Sequence, residues 1–411
     1  MAGSEPGQPI GDVEAGGRHL VECAAIRSYA AAELTRARAR EHVAVLLRTR
    51  STGLMSTRFN ARSNPRARSC RRAGVGLGLD ADAAGVINAT RRAAARPITA
   101  SVRFDLMPLL GTKGAMMTPS EREEVLSRWV EKSSDAEQDR QERAERMVNQ
   151  AIEASPLTGT LHKVYPKGSY PNQTNVRLDS DVDIVVECRE FVHYDSGPGV
   201  APPIQRPPYG GSWSYASWRA AVTEAIKDCF GTAVDASGKI AIFVPEVPGS
   251  RPSIDIVPSH QYHRYYGRGE YEYAQGSAVW TTEGQRIVNW PDQQLTHGNA
   301  KDRDTRGRYK QMVRALKRAE NVLVERKTID DMPSYFMECL VYNVEDPSLT
   351  AGTLHTAFAN TLGFLYGAFE KGSHHSWLEP NRLNAVFGDA QKWTPNDAMT
   401  LLSGAYDLME Y

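Results

Sequence analysis

The stretch that decides the fold reads Lys167-Gly168-Ser169-Tyr170, then, after a spacer, Asp179-Ser180-Asp181-Val182-Asp183-Ile184-Val185-Val186. In an extended strand, residues two apart point to the same face. Asp181 and Asp183 therefore project side by side, while Val182 and Ile184 turn to the core. Neighbouring carboxylates repel, and burying them beside an apolar strand is costly unless a cation neutralises them. Mg²⁺ suits such a place, because it takes oxygen ligands and is usually held by one or two carboxylates together with substrate phosphates. A third acid has the same setting: Asp255 in Ser253-Ile254-Asp255-Ile256-Val257. If its strand pairs beside the first, three carboxylates converge. Two ions ~3.5–4 Å apart then clamp the attacking and leaving oxygens of an in-line phosphoryl displacement.

Gly168-Ser169 supplies the other half of the site. Gly lets the backbone approach a phosphate closely. Ser169 offers its hydroxyl and its N–H, and a helix starting near Tyr170 would aim further amide donors at an anion. No Walker motif is present. Each piece alone has an ordinary explanation: a solvated strand edge, a turn, a hydrogen-bonded buried Asp. Their order and spacing, with Gly-Ser twelve residues before Asp181 and an apolar-flanked Asp much later, point to one phosphoryl-transfer site.

That order resembles the signature of the polymerase-β-like nucleotidyltransferase superfamily. The run Lys167-Gly168-Ser169-Tyr170-Pro171-Asn172-Gln173-Thr174-Asn175-Val176-Arg177 ahead of Asp179-Ser180-Asp181-Val182-Asp183 resembles its bacterial cGAS/DncV-like branch (CD-NTases) more closely. So do Asn299-Ala300-Lys301, Gly307-Arg308-Tyr309-Lys310 with Arg314 and Lys317, and Ser334-Tyr335-Phe336 leading into Glu338-Cys339-Leu340. The likeness runs from about Met117 to Tyr411. It implies an α+β fold: a palm of mixed β-sheet and helices over residues 117–300, joined to a C-terminal helical lobe over 301–411 that closes the cleft. It implies synthesis of cyclic or short linear oligonucleotide second messengers from NTPs in anti-phage defence, and a downstream effector that binds the product. By position, Asp181 and Asp183 hold both Mg²⁺ ions, with Mn²⁺ as an alternative, and Asp255 holds the one that activates the acceptor hydroxyl. Gly168 and Ser169 grip the donor triphosphate. Lys310, and after it Arg314, are candidates for phosphate contact; the ordinary explanation for both is a solvated helix face with i, i+4 spacing. No zinc ribbon is present, so activation by double-stranded DNA is not implied.

Around the motif, helices are expected from the Ser120–Glu123 capping pattern onward, at 135–152 with Ala144, Met147, Val148, Ala151 and Ile152 buried, and at 215–230 through Trp218, Ala221, Ile226 and Cys229. Strands are expected at 161–169, 181–187, 239–244 and 253–257, and an inserted Gly/Pro/Tyr-rich loop at 191–213. Four tail segments, 308–324, 334–343, 350–369 and 396–409, have helical spacing. Tyr170, Tyr265, Tyr266 and Trp290 are possible base-stacking residues, though core or surface packing explains any one of them. His374-His375 has no third ligand at a recognisable spacing and reads as loop.

The 41% apolar and 24% charged composition is that of a globular protein. No apolar run reaches the ~20 residues of a membrane helix. Five scattered cysteines without a CxxC pair argue against a disulfide framework or cysteine zinc site, and a reduced, cytoplasmic protein is expected. The net charge of zero is a cancellation: residues 1–116 carry +9, from 17 Arg and 1 Lys against 9 acids, and the rest carries −9. Arg-rich, Ala-rich sequence of low periodicity predicts a disordered leader, with Met116 or Met117 as the start of the protein proper. A basic arm touching nucleic acid is the competing reading. For the acidic body, nucleic-acid binding is not expected. Two other functions share the three aspartates: a template-independent transferase acting on an RNA end, and an inactive palm that senses nucleotides.

Overall fold

The computed structural model describes residues 116–176, 181–197, 200, 211, 213–267 and 271–411. The expected leader up to residue 115, and Arg177, Asp179 and Ser180 of the motif, lie outside the described residues. Among the described residues two helices come first, α1 (Pro119–Trp129) and α2 (Asp135–Glu153). Strands β1 (His162–Lys167) and β2 (Val182–Ser196) follow, then α3 (Tyr215–Phe230), β3 (Ile242–Val244), β4 (Ile254–Tyr265), β5 (Tyr273–Trp280) and β6 (Arg286–Asn289). The remainder is helical: α4 (Pro291–Asp304), α5 (Arg308–Glu325), α6 (Ser334–Tyr342), α7 (Asp346–Thr350), α8 (Leu354–Glu370) and α9 (Pro395–Leu408). No helix among the described residues is long and apolar enough to cross a membrane.

The strands form one six-stranded sheet in the order β1-β2-β4-β5-β6, with β3 pairing β4. β2 and β4 run parallel; β1 on β2, β3 and β5 on β4, and β6 on β5 are antiparallel. Strand alternation sets the two faces. Val182, Ile184 and Val186 of β2, with Ile254 and Ile256 of β4, pack under Ala144, Val148 and Ile152 of α2 and Trp218, Val222 and Ile226 of α3. Each such buried aliphatic side chain contributes roughly 1.5–3 kcal/mol. The indole of Trp218 also donates to Val186 O at 3.0 Å, fixing α3 over β2. The opposite face carries Asp183 and Asp255.

Several expectations need correction. The first cap is Thr118 with Glu121, whose carboxylate accepts from the Thr118 N–H at 2.7 Å. Ser120 lies inside that first turn, and Glu123 instead accepts from Leu354 and His355 N–H (3.0 and 2.8 Å) at the start of α8, where a carboxylate complements the helix dipole. Residues 191–196 are not loop: past a bulge between Cys188 and Val192, β2 resumes its pairing with β4 as far as Ser196. In α2 Met147 is only half-buried, and in α3 Val222 and Ala225 are buried where Cys229 is exposed. β5, β6 and α4 had no periodic signal, because Ala, Gly and Ser fill buried strand positions and α4 buries only Gly298. His374 lies in a short 3-10 turn, Ser373–Ser376, buried against Phe369.

The helical half contains unusual buried polarity. Lys317 of α5 and Glu338 of α6 form an ion pair of 2.7 Å with about 4% of each side chain exposed. Thr174 Oγ1 donates to the same Glu338 oxygen at 2.5 Å, and Gln294 of α4 donates to the other at 3.1 Å. Removing one partner leaves a buried charge uncompensated. Lys317→Met should therefore destabilise the fold by about 3–5 kcal/mol in urea titration, and Lys317→Met/Glu338→Leu should recover most of that loss.

A second buried polar cluster sits on the sheet. His193 Nε2 and His260 Nδ1 are 3.0 Å apart among Phe191, Tyr215 and Trp280. Burial pushes His193 down to about 4 and His260 to about 3, from an ordinary 6.5. Both stay neutral in the fold while the unfolded chain takes up protons below 6.5. Stability should fall as pH drops from about 6.5 towards 4. Thermal melts of the protein and of His193→Phe/His260→Leu check this: the double variant should show a shallower loss of melting temperature over that interval.

Candidate active site

The ladder aligns Asp183 with Asp255 on the parallel strands β2 and β4, and with Lys167 on antiparallel β1. Adjacent strands lie about 4.8 Å apart, so these side chains are neighbours on one face. Where the ladder begins, Val182 N–H donates to Ser253 O at 3.0 Å, and the Ser253 hydroxyl donates to Asp181 Oδ1. Backbone pairing places Asp183 and Asp255 at this end of the sheet, and the Ser253 hydroxyl holds Asp181 beside them.

Electrostatics there are unbalanced. Burial raises the Asp183 carboxyl above the usual range and Asp181 adds to the rise, while the Lys167 ammonium opposes both. Lys167 Nζ stands 3.8 Å from Asp183 Oδ1, and that buried oxygen accepts no hydrogen bond from any described residue. Among the described residues no group of three Asp, Glu, His or Cys stands ready as a metal cage. A hard divalent cation of Mg²⁺ type does not need one, since phosphate oxygens and water complete its shell. An under-satisfied carboxylate oxygen aligned with a second buried acid fits such a cation.

Gly168 follows β1 directly, at φ +77°. A Cβ on it would lie 2.7 Å from Asp183 Oδ2, so only glycine permits this approach between turn and acid. No helix begins at Tyr170. Residues 168–173 are a turn, closed by Gln173 N–H to Tyr170 O (3.0 Å), Thr174 N–H to Ser169 O (3.0 Å) and the Asn172 amide to Gly168 O (2.8 Å). The expected helix N-terminus is therefore absent, and a hydrogen-bonded turn follows Gly168 instead.

Neither basic candidate is on a solvated helix face: Lys310 is 5% exposed. Lys310 Nζ donates to Asn299 Oδ1 at 2.6 Å, and its backbone N–H donates to Asp302 Oδ1 at 3.0 Å. Burial lowers its ammonium, with Asp302 opposing. Arg314 is not on a solvated face: it is 2% exposed, and it donates to Val130 O (2.8 Å) and Gln173 O (2.7 Å). Of the aromatics, Tyr170 packs against the sheet core, and Tyr265 and Trp290 are buried, Trp290 under the Arg264 guanidinium. Tyr266 is exposed.

The model of the cGAS/DncV-like nucleotidyltransferase C-terminal helical domain matches residues 296–410. The cyclic dipyrimidine nucleotide synthase CdnE of Legionella pneumophila is 33% identical over 293 residues, spanning 70% of this chain and 98% of the relative. This chain belongs to the cGAS/DncV-like nucleotidyltransferase family. The fold agrees with solved members. The Rhodothermus marinus CdnE c-UMP-AMP synthase, solved with Apcpp and Upnpp, superposes with TM-score 0.62 at 26% identity, covering 72% of this chain and 97% of that one. The Elizabethkingia meningoseptica CdnE cyclic dinucleotide synthase, solved with GTP and Apcpp, gives TM-score 0.60 at 26% identity, covering 70% and 99%.

In this cGAS/DncV-like nucleotidyltransferase, Lys167 and Ser253 were not picked out from sequence as site residues. Both had a signal. Lys167 adjoins Gly168 in the motif, and Ser253 lies two residues before Asp255, immediately ahead of β4. Gly168→Ala should cost about 1–2 kcal/mol from its left-handed backbone alone. It should also push Asp183 aside, so nucleotide-joining activity should fall at least tenfold with the fold kept. Circular dichroism melts beside initial rates check both parts.

Proposed function

We propose that this chain joins NTPs into a cyclic or short linear oligonucleotide. A 3′-hydroxyl attacks the α-phosphate of the donor in line, and pyrophosphate leaves. The observation that carries the reading is the parallel register of Asp183 with Asp255 beside Gly168, the arrangement a metal-assisted phosphoryl transfer needs. Asp181, Asp183 and Asp255 would hold Mg²⁺, or Mn²⁺ in its place, which supplies charge neutralisation and in-line alignment of the reacting oxygens. Gly168 and Ser169 would hold the donor triphosphate through turn amides and the serine hydroxyl. Ser253 would keep Asp181 turned to the site. The Asp255 carboxylate would help take the proton from the acceptor hydroxyl as the bond to phosphorus forms. Lys310 would act at longer range on phosphate charge.

The catalytic palm would occupy residues 117–300 and the closing lobe 301–411, with α1 lying against α8 and α5 of the lobe. Relatives named for dipyrimidine and UMP–AMP products support a pyrimidine NTP among the substrates. A downstream effector that binds the product, in anti-phage signalling, follows from the family resemblance. The acidic charge of the body, −9 after residue 116, disfavours an RNA end as acceptor.

Mass spectrometry of products from all four NTPs with Mg²⁺ tests the reading. The expected result is a small, phosphatase-resistant cyclic product containing a pyrimidine, lost in Asp181→Asn/Asp183→Asn. Extension only of added RNA would point to the RNA-end transferase. Turnover that survives the double substitution would remove the three acids from the mechanism.

A further inference from the structure

The Gly-Ser turn is held from outside the sheet, and its hold passes through one peptide group. Gln173 has φ +54°, a left-handed conformation that costs a side-chain-bearing residue energy. The carbonyl of Gln173 and the N–H of Thr174 belong to the same planar peptide. The N–H donates to Ser169 O at 3.0 Å. The carbonyl accepts from the Arg314 guanidinium at 2.7 Å. Arg314 is itself fixed by its second bond, from Nε to Val130 O at 2.8 Å, and by burial. The next side chain along, Thr174, bonds Glu338, which pairs with Lys317, one turn beyond Arg314 on α5. Two paired helices outside the sheet therefore grip the carbonyl and the following side chain of the peptide that sets Ser169.

We propose that Arg314 is a positioning residue: by clamping the Gln173–Thr174 peptide in its left-handed turn, it sets the Ser169 end of the donor-phosphate loop from the helical lobe. This rests on the reading that the Gly-Ser turn binds the donor triphosphate. Its guanidinium acts on backbone carbonyls and not on phosphate. Lysine cannot replace it, because the two acceptors need the rigid fork of donors. The strain at residue 173 and the clamp at 314 are then two parts of one device, and relieving the first should lessen the need for the second.

The test is a cycle of steady-state kinetics on full-length protein, with a cyclic-product readout, Mg²⁺ and each NTP, alongside thermal melts. Arg314→Lys should raise KM for the donor NTP about tenfold with kcat changed less than twofold, the factor that roughly one left-handed residue commands. Gln173→Gly in the Arg314→Lys background should return KM most of the way, because glycine holds the left-handed turn unaided. Gln173→Val leaves the clamp intact and raises the cost of the turn, so it should reproduce the KM defect even if Arg314→Lys proves too unstable to assay. Failure of glycine to rescue, or an unchanged KM in Gln173→Val, overturns the proposal and leaves Arg314 as a packing residue or a direct phosphate ligand. Ser169→Ala separates this from the parent reading. If it and Gly168→Ala both leave KM unchanged, the turn does not bind donor phosphate; if either raises KM while the other variants do not, only the clamp fails.

Discussion

The candidate site depends on the cost of placing acids side by side at the start of an apolar strand. Asp183 is aligned with Asp255 across a parallel ladder, Asp181 lies immediately before the same strand, and the hydrophobic reverse of that strand forms the core. Coulombic repulsion and desolvation act in the same direction on Asp183, and Lys167 at 3.8 Å offsets only part of it. Strand pairing holds the carboxylates where they would not otherwise sit. The surplus charge is what a divalent cation and the phosphates it brings would satisfy. Gly168 fits the same constraint, since any Cβ there would meet the Asp183 carboxylate.

The helical half works as more than a cover. α5 is an amphipathic helix whose polar face is buried: Lys310, Arg314, Lys317 and Glu320 are all nearly inaccessible. Burying such charges yields little net stability even when they are paired. Their value lies in where the bonds end, and several end on the segment that follows Gly-Ser. Arg314 meets Gln173, and Lys317 with Glu338 meets Thr174. Sheet and helical lobe therefore share one polar seam that passes directly behind the candidate donor loop.

How much could be read from the chain follows from the range of each signal. Asp181-Val182-Asp183 and Ser253 to Val257 announced their strands through local alternation, and the amphipathic helices through local spacing. Their pairing depends on contacts some seventy residues apart, which the shared apolar-flanked Asp pattern suggested and only the ladder shows. β5 and β6 gave no signal because small residues such as Gly276 and Ser277 are selected by close packing, Gly276 lying against the Trp290 ring. Arg314 was misread for a similar reason. A basic residue at i, i+4 spacing looks solvent-facing until the partners Val130 and Gln173, more than a hundred positions away, are known. The cap at Thr118 was displaced by two residues because Thr118–Glu121 and Ser120–Glu123 both fit the pattern, and the pull of the α8 N-terminus on Glu123 decided between them.

The central claim is that these three acids share divalent cations at the point where phosphates are joined. Anomalous diffraction from crystals grown with Mn²⁺ and a non-hydrolysable NTP addresses it directly. The account predicts manganese peaks bridging Asp181 and Asp183, with Asp255 coordinating one of them and the triphosphate seated on the Gly168-Ser169 turn. Manganese bound elsewhere, or an Asp255 carboxylate turned away from the ions, would contradict it.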